Sequence, residues 1–227
     1  QMCIRDRCRF DCEQEEFDNF WRDYFDLDTD YSQYLERINP RDIYLVQAAE
    51  VGWGIRILHQ DLWEMIVTFL ISQQNNITRI RRCVENICEK YGQRCEDENG
   101  IVYYGFPEPQ ALAELDENAL MECNLGYRSK YVVRTAKMIA SGEFDLEAVK
   151  HMSYSKAKPC LMTLFGVGEK VADCICLFSL HQLQSFPVDT HIRQALDAHY
   201  KRGFPNRRYR GIQGVMQQYI FYYELGK

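Results

Sequence analysis

The stretch of sequence that decides the fold is Leu164-Phe165-Gly166-Val167-Gly168-Glu169-Lys170. Two glycines one residue apart permit a tight turn in which the backbone approaches a ligand or adopts positive φ without a Cβ clash. Helical apolar spacing precedes the turn over Tyr154–Leu164 and follows it over Glu169–Leu180. The segment from about 154 to 180 is therefore predicted to be a helix, a hairpin and a second, buried helix.

Lys170 stands in the first turn of that second helix, where the helix dipole disfavours a cation by about 0.3 to 1 kcal/mol. This position favours the neutral amine, which is the form that acts as a Schiff-base nucleophile. Cys174 follows at i+4 on the same helix face. Two plainer interpretations stay open at this point: a glycine turn with an exposed lysine, and a surface ion pair of Lys170 with Asp173.

A carboxylate also stands at a predicted helix N-terminus, in Pro187-Val188-Asp189-Thr190-His191. Asp189 is predicted to cap the helix that begins there, because proline fixes the approach and aspartate is a preferred N-cap. A lysine and a carboxylate at helix N-termini, beside backbone amides that can hold an anion, form a candidate catalytic pair. A nucleotide-binding P-loop is excluded because GxxxxGK[ST] does not occur in the chain.

The rest of the chain predicts an all-α, mainly helical, two-lobed body. Residues 1–9 are interpreted as a disordered or non-native leader, and residues 10–227 as one helical region with the hairpin at about 154–180. Ile101–Tyr104 is a short, isolated strand signal, and residues 12–24 form an amphipathic helix with aromatic core side chains, capped by Asp11. The further predicted helices are 31–37, 45–52, 62–72, 76–91, 110–122, 127–141 and 146–151.

Composition excludes several classes of protein. No run approaches the roughly 18 apolar residues of a membrane helix, and the charged residues after Met2 are unlike a signal peptide. An intracellular location is therefore expected, in cytoplasm, nucleoid or nucleus. The ten cysteines are scattered and are interpreted as reduced thiols. With no CxxC and no cysteine after Cys176, neither a metal site nor an iron–sulfur cluster is predicted.

The net charge of −6 is unevenly distributed. Residues 1–50 carry six arginines and thirteen acidic side chains, so the remainder of the chain is slightly basic. Residues 191–210 hold six basic side chains against the single acidic Asp197. A basic face on a near-neutral body suits a protein that grips a short nucleic-acid segment. A solvated, charged loop is the alternative for residues 201–210.

Cys160–His191 resembles the hairpin and catalytic segment of helix-hairpin-helix DNA glycosylases, and most closely that of the 8-oxoguanine DNA glycosylase/AP lyase family. Three other segments resemble this family in the same order: Phe69–Arg79, Tyr104–Pro107 and Asn124–Tyr131. The resemblance extends from about Trp53 to the end of the chain. The family begins with an antiparallel β domain, and no such pattern precedes the resemblance, so that N-terminal domain is expected to be missing.

The resemblance implies a base-excision enzyme that removes 8-oxoguanine from duplex DNA and nicks the resulting abasic site. Lys170 would attack C1′ of the damaged nucleotide, and Asp189 would stabilise positive charge on the sugar. The resemblance implies DNA contacts by Gly166, Val167, Gly168, His191, Gln74, Asn75, Asn76 and Arg79, a wedge at Tyr127, a contact of Arg128 with the unpaired base, and a base pocket of Cys174, Gln218 and Tyr222.

Three positions depart from the family pattern. Phe165 stands where the hairpin usually has proline, Gln74 stands where an asparagine fills the gap left by the flipped base, and Tyr222 replaces a phenylalanine. Asn75 and Asn76 could share the role expected of Gln74. The resemblance implies a monomer that acts on damaged double-stranded DNA without a required cofactor, with room for a monovalent cation at the hairpin.

Two other functions are compatible with the hairpin. A monofunctional, 3-methyladenine-type glycosylase would keep Asp189 but needs no lysine after the turn. A helix-hairpin-helix module that only binds DNA needs neither residue. The presence of both Lys170 and Asp189 favours the glycosylase/lyase over these alternatives.

Overall fold

The computed structural model describes residues 9–97 and 99–226. The predicted leader, residues 1–9, lies outside the described residues except for Arg9, which is exposed. Most of the described chain is helical, which confirms the mainly helical class. Among the helices of this part of the chain, none is long and apolar enough to span a membrane.

Several helices begin where the sequence supplies a side-chain cap. Asp42, Asp61, Asn76, Asp145 and Asp189 each accept a hydrogen bond from a backbone N–H of the first turn. The helical segments are Gln14–Glu16, Phe17–Trp21 (π-helical), Arg22–Tyr24, Ser32–Glu36, Ile43–Val51, Leu62–Ser72, Ile77–Tyr91, Pro109–Ala113, Ala119–Cys123 and Gly126–Arg128 (both 3-10), Ser129–Ala140, Leu146–Lys150, Tyr154–Leu161, Glu169–Phe178, Thr190–His199 and Gln213–Leu225.

The chain divides into two units, in agreement with the two-lobed prediction. Residues 61–175 form one of them, here called the continuous unit. The other, the discontinuous unit, is formed by residues 1–60 together with 176–227. Each unit has its own set of buried side chains.

The continuous unit is built on the helix Leu62–Ser72. This helix is buried on nearly all sides, as expected for a helix that neighbouring elements surround. It packs against Ile77–Tyr91 and Ser129–Ala140. The indole N–H of Trp63 donates to the carbonyl of Pro107 at 2.8 Å, which satisfies the polar atom that this large side chain buries.

The discontinuous unit is built on the helix Gln213–Leu225. This helix packs against Ile43–Val51 from the first segment of the chain and Thr190–His199 from the second. Gly214 permits the close approach of the helix to Leu177 and to the loop that follows it, because a Cβ there would lie 2.4 Å from Cδ1 of Leu177 and 2.6 Å from the carbonyl oxygen of Ser185. The two separate segments of the sequence therefore share one core.

The N-terminal helix differs from its prediction over 12–24. It begins at Gln14 and not at Cys12, has no side-chain cap, and contains a π-helical segment over Phe17–Trp21. The aromatic side chains assigned to the core are not buried, and Phe20 is 51% exposed. Helical periodicity identifies an apolar face, but it does not show whether another element covers that face.

The predicted helix 110–122 is interrupted in the structure. An α-helix ends at Ala113, and a 3-10 helix follows only at Ala119–Cys123. Between them the carboxylate of Asp116 accepts a hydrogen bond from the backbone N–H of Asn118 at 2.9 Å. Short polar side chains of this kind compete with helical backbone bonds, which explains the break.

The strand signal at residues 101–104 is correct, but the strand is not isolated. Val102–Tyr104 pairs antiparallel with Arg94–Glu96, with Cys95 opposite Tyr103. The partner strand, Arg-Cys-Glu, has only 3 residues, which is shorter than the run of roughly four to eight alternating residues that indicates a strand.

Candidate functional site

The hairpin connects the helices Tyr154–Leu161 and Glu169–Phe178. Gly166 has a φ of +91°, and a Cβ at this position would lie 2.7 Å from the ring of Tyr131. A Cβ at Gly168 would meet no atom within 4 Å, and this glycine is exposed. Gly166 is therefore required by the fold, whereas Gly168 leaves the outer surface of the turn open to an approaching molecule.

Phe165, the departure from proline, is part of an aromatic cluster on the hairpin. Its ring lies 5.3 Å from that of Tyr131, and the guanidinium of Arg134 lies 4.4 Å from its centroid. Such contacts are worth roughly 0.5–1 kcal/mol each at exposed positions. Packing thus replaces the conformational restriction that proline would have supplied to the turn.

Lys170 is the second residue of the helix that follows the hairpin and is half-buried. Its Nζ lies 5.5 Å from the ring centroid of Phe69. The amine is therefore held at the junction of the hairpin and the Leu62–Ser72 helix. The predicted position of Lys170 in the first turn of this helix is confirmed, and its role as nucleophile stays a prediction.

Asp173, which the sequence allowed to form a surface ion pair with Lys170, is buried and bonds to the helix before the hairpin. It accepts hydrogen bonds from Tyr154 Oη at 2.7 Å and from Lys158 Nζ at 3.0 Å. Burial opposes the charge of Lys158, but the hydrogen bond and charge of Asp173 outweigh it and raise the pKa of Lys158. The carboxylate of Asp173 thus ties the two helices of the hairpin together.

Asp189 caps the helix Thr190–His199, as predicted. One of its carboxylate oxygens accepts from the backbone N–H of Ile192 at 2.8 Å, which fixes the orientation of the side chain. The residue is half-buried. His191 is exposed on the first turn of the same helix.

Gln217 supports the segment that leads to Asp189, and sequence reasoning missed it. This side chain is buried, and its Nε2 donates to the carbonyl of Pro187 at 3.1 Å. Its Oε1 accepts from Gln218 Nε2 at 2.7 Å. A glutamine on a mostly apolar helix face was the only signal in the sequence.

The loop after the Leu62–Ser72 helix carries the predicted gap-filling residues. Gln74 is exposed and has a φ of +48°, a left-handed conformation that is unusual for a residue other than glycine. The side chain of Asn75 donates to the carbonyl of Ile71 at 3.1 Å, and Asn76 caps the next helix through the N–H of Arg79. Two of the three polar side chains thus shape the loop.

Arg128 has a structural role that the sequence did not predict. It is only 4% exposed, and it donates to the carbonyls of Gln73 at 2.8 Å, Gln74 at 2.9 Å and Leu125 at 3.3 Å. These bonds hold the loop in its left-handed conformation. The contact of Arg128 with an unpaired base stays a prediction. To make it, the guanidinium would have to give up hydrogen bonds to these backbone carbonyls and donate to the base instead.

Gln73 connects the same loop to the hairpin. Its Nε2 donates to the carbonyl of Gly166 at 3.1 Å, while its own carbonyl is held by Arg128. Tyr127, the predicted wedge, is 46% exposed, with its ring 5.7 Å from that of Tyr131. The continuous unit therefore brings the loop, the wedge and the hairpin into one connected surface.

The predicted base-pocket residues fall in both units. Cys174 is buried in the continuous unit, one helical turn after Lys170. Gln218 is half-buried and Tyr222 is exposed on the closing helix of the discontinuous unit. Asp189 and His191 also belong to the discontinuous unit, and Lys170 to the continuous one.

Two family models match the chain. One, the N-terminal domain of 8-oxoguanine DNA glycosylase, covers residues 1–66. The other, HhH-GPD superfamily base excision DNA repair protein, covers residues 67–206, which is more than half of the chain. The chain belongs to the HhH-GPD superfamily. The helices and hairpin that carry Lys170 and Asp189 lie within the matched range.

The match over residues 1–66 corrects the expectation that the N-terminal domain of this HhH-GPD protein is missing. The described part of that range, from Arg9 onward, is helical and contains no strand. The sequence-based expectation equated the domain with its β-sheet and therefore did not recognise the helical residues that belong to the same domain.

Known members of the superfamily are similar over most of this chain. The "N-glycosylase/DNA lyase" of Saccharomyces cerevisiae is 32% identical over 78% of this chain and 50% of that protein. The chain thus spans about half the length of the curated relatives it matches.

Solved structures are similar over nearly the whole chain. The 8-oxoguanine glycosylase/lyase of Clostridium acetobutylicum, in complex with double-stranded DNA containing cytosine opposite 8-oxoG, is 38% identical with a TM-score of 0.89, covering 96% of this chain and 77% of that one. MBOgg1 in complex with a low affinity DNA ligand is 35% identical with a TM-score of 0.89, covering 97% of this chain and 82% of that one.

Proposed function

We propose that this protein is a bifunctional DNA glycosylase and abasic-site lyase of base-excision repair, acting on 8-oxoguanine in duplex DNA. The observation that carries the proposal is the placement of Lys170 in the first turn after the Gly166-Val167-Gly168 hairpin. A DNA-binding module does not need an amine there, and neither does a monofunctional glycosylase. The relatives named as glycosylase/lyases support the same reaction.

The proposed reaction has two steps. The neutral amine of Lys170 attacks C1′ of the damaged nucleotide, the N-glycosidic bond breaks, and its electron pair leaves with the base. The sugar ring then opens to a Schiff base between C1′ and Lys170. Loss of a proton from C2′ forms a C2′–C3′ double bond, the C3′–O bond breaks, and the 3′ phosphate leaves, which nicks the strand. The carboxylate of Asp189 would stabilise the positive charge that develops on the sugar. These steps require no cofactor.

Hydrogen-bond donors and basic side chains on the surface support binding of a DNA backbone. Backbone amides at the N-terminus of the Glu169–Phe178 helix can hold a phosphate beside Gly168, whose outer side is open. Arg79 and the wedge residue Tyr127 are exposed on the same unit. A damaged base must leave the duplex before its C1′ can be attacked, and Tyr127 would fill the gap.

The base pocket proposed for the extruded purine includes Cys174, Gln218 and Tyr222. Cys174 follows Lys170 by one helical turn, which suits contact with the base whose C1′ is attacked. The 8-oxoguanine named for the Clostridium acetobutylicum structure supports an oxidised purine as substrate. We expect the protein to act as a monomer. Repair of chromosomal DNA would place it inside the cell, in the nucleoid or nucleus.

Covalent trapping tests this proposal. The protein is incubated with duplexes that carry 8-oxoguanine, uracil, 3-methyladenine or thymine glycol, in the presence of borohydride. We expect a protein–DNA cross-link and strand cleavage with the 8-oxoguanine duplex. Lys170→Gln should abolish the cross-link, whereas Lys156→Gln, at an exposed lysine of the preceding helix, should not.

Two outcomes would contradict the proposal. An undiminished cross-link in Lys170→Gln would assign the nucleophile to another amine. Base release without any cross-link or nicking, with 3-methyladenine as the preferred base, would support the monofunctional alternative.

A further inference from the structure

A cluster of metal-binding side chains lies in the discontinuous unit, outside the residues assigned to the reaction. Asp26, His59 and His181 each offer one ligand atom, and these atoms lie within 4.8 Å of one another. The three residues come from three loops that are distant in sequence. Short-range spacing of ligands, the usual sequence signal for a metal site, is absent among them.

The two imidazoles converge on one carboxylate. His181 Nε2 lies 3.2 Å from Asp26 Oδ2, and His59 Nε2 lies 3.9 Å from Asp26 Oδ1. The two rings are stacked, with their centroids 3.9 Å apart and their planes at 20°. Ligand bonds of about 2.0–2.2 Å place the ligand atoms of a tetrahedral site roughly 3.3–3.5 Å apart. The two separations involve different oxygens of Asp26, and the three ligand atoms lie within 4.8 Å of one another, so an ion would have to draw them together by up to roughly 1.3 Å.

The carboxylate is held in place by other side chains. Asp26 is 8% exposed and accepts hydrogen bonds from Tyr31 Oη at 2.8 Å and Thr29 Oγ1 at 2.6 Å. On the outer side, His59 Nδ1 lies 3.9 Å from a carboxylate oxygen of Asp23. This distance is longer than a hydrogen bond. A closer approach of Asp23 to this nitrogen would give the outer carboxylate that orients metal-binding histidines.

Backbone strain is concentrated at the same place. Asp26 has a φ of +50° and His181 a φ of +48°, and the described residues contain only two other non-glycine residues with positive φ. Left-handed conformations of such residues cost of order 1–3 kcal/mol and persist where the surrounding structure requires them. The fold therefore holds two of the three ligands in unfavourable conformations that direct them to one point.

We propose that Asp26, His59 and His181 bind one divalent transition-metal ion, with Zn²⁺ as the reference ion. Two imidazole nitrogens and one carboxylate oxygen favour Zn²⁺ and its late first-row neighbours over Mg²⁺ or Ca²⁺, which prefer oxygen ligands. The carbonyl of Ile57, 3.2 Å from His181 Nε2, or a water molecule would complete the coordination. The side chain of His59 is 31% exposed, which gives an ion access from solvent.

The ion would have a structural role. Asp26 and His59 belong to the first segment of the discontinuous unit and His181 to the second, so one ion would link the two segments. A ligand that binds only the folded protein stabilises it by mass action. Lys170 and Asp189 are not part of this cluster, so the metal proposal does not depend on the proposed repair reaction.

Titration of the metal-free chain with Zn²⁺ tests the proposal, by calorimetry and by competition with a chromogenic chelator. We expect one high-affinity ion per chain and a rise in melting temperature. Asp23→Asn should weaken affinity about tenfold, as removal of an outer carboxylate does. The double variant His59→Gln/His181→Gln should lose the high-affinity event, and His151→Gln, at an exposed histidine of the other unit, should retain it.

Because the chain also has cysteines, Co²⁺ serves as a spectroscopic probe of the ligands. Visible absorption without the intense near-ultraviolet bands of thiolate ligands would support the histidine and carboxylate set. Three results would overturn the proposal: no Zn²⁺ binding by the wild-type chain, unchanged binding by the double variant, or a thiolate spectrum with Co²⁺.

Discussion

Asp189 combines two roles that one substitution can separate. Its carboxylate caps the Thr190–His199 helix and is proposed to stabilise charge on the sugar. Asparagine caps a helix about as well as aspartate but carries no charge. Asp189→Asn should therefore keep the free energy of unfolding within about 0.5 kcal/mol and slow base excision on the order of a hundredfold or more.

Single-turnover excision of 8-oxoguanine and urea unfolding of the same preparation measure the two effects. Asp145→Asn, at another capping aspartate, is the matched control and should leave excision unchanged. A parallel loss of stability and activity in Asp189→Asn would show that the residue is mainly structural.

At the level of single residues, the sequence predicts helix N-cap residues better than it predicts which polar side chains are buried. Asp189 and Asn76 can be assigned from the residues around them, because capping depends on the next three positions. The burial of Arg128 cannot be predicted in this way, because its hydrogen-bond partners include backbone carbonyls of a loop more than fifty residues away in the chain. Sequence patterns do not reveal such long-range contacts to backbone atoms.

At the level of elements, the two hairpin glycines should respond differently to alanine. Gly166→Ala places a Cβ at positive φ and against the ring of Tyr131, so it should cost about 2 kcal/mol or more of stability. Gly168→Ala meets no neighbouring atom and should leave the fold intact. Its methyl group would instead hinder a phosphate, so DNA affinity should fall.

Urea unfolding and binding of an abasic-site duplex at fixed salt distinguish the two variants. Equal destabilisation by both substitutions would mean that the turn needs its glycines only for folding. Unchanged DNA affinity in Gly168→Ala would move the phosphate contact away from the hairpin.

Elements with strong local signals are predictable to within a residue or two. The Leu62–Ser72 helix has an aspartate cap and a continuous apolar run, and its predicted ends agree with the structure. The region after Ala113 has weaker apolar spacing, and the turn at Asp116 interrupts the expected continuous helix. Local signals therefore determine an element only where no competing turn is available.

At the level of the whole molecule, the uneven charge predicts salt-dependent DNA binding. Arg202 and Arg207 are exposed in the basic segment 191–210. If each contacts a phosphate, the variant Arg202→Gln/Arg207→Gln should reduce the slope of log affinity against log salt by about two. Arg81→Gln, at an exposed arginine paired with Glu85, should leave the slope unchanged.

Equilibrium binding of one duplex over a range of salt concentrations gives these slopes. An unchanged slope in the double variant would support the alternative that residues 201–210 are a solvated loop. Sequence patterns also do not reveal the cluster proposed as a metal site, because Asp26, His59 and His181 are distant in sequence and come together only in the folded chain.

The discontinuous unit has a consequence for protein synthesis. Its first segment leaves the ribosome before residues 61–175, and its second segment only after them. At typical elongation rates of about 5–20 residues per second, this interval lasts roughly ten seconds. Throughout that time the Ile43–Val51 helix lacks the Gln213–Leu225 helix that covers it. The continuous unit can fold first. The first segment can bury its apolar face only after the second segment has been synthesised, and until then this face is accessible to chaperones.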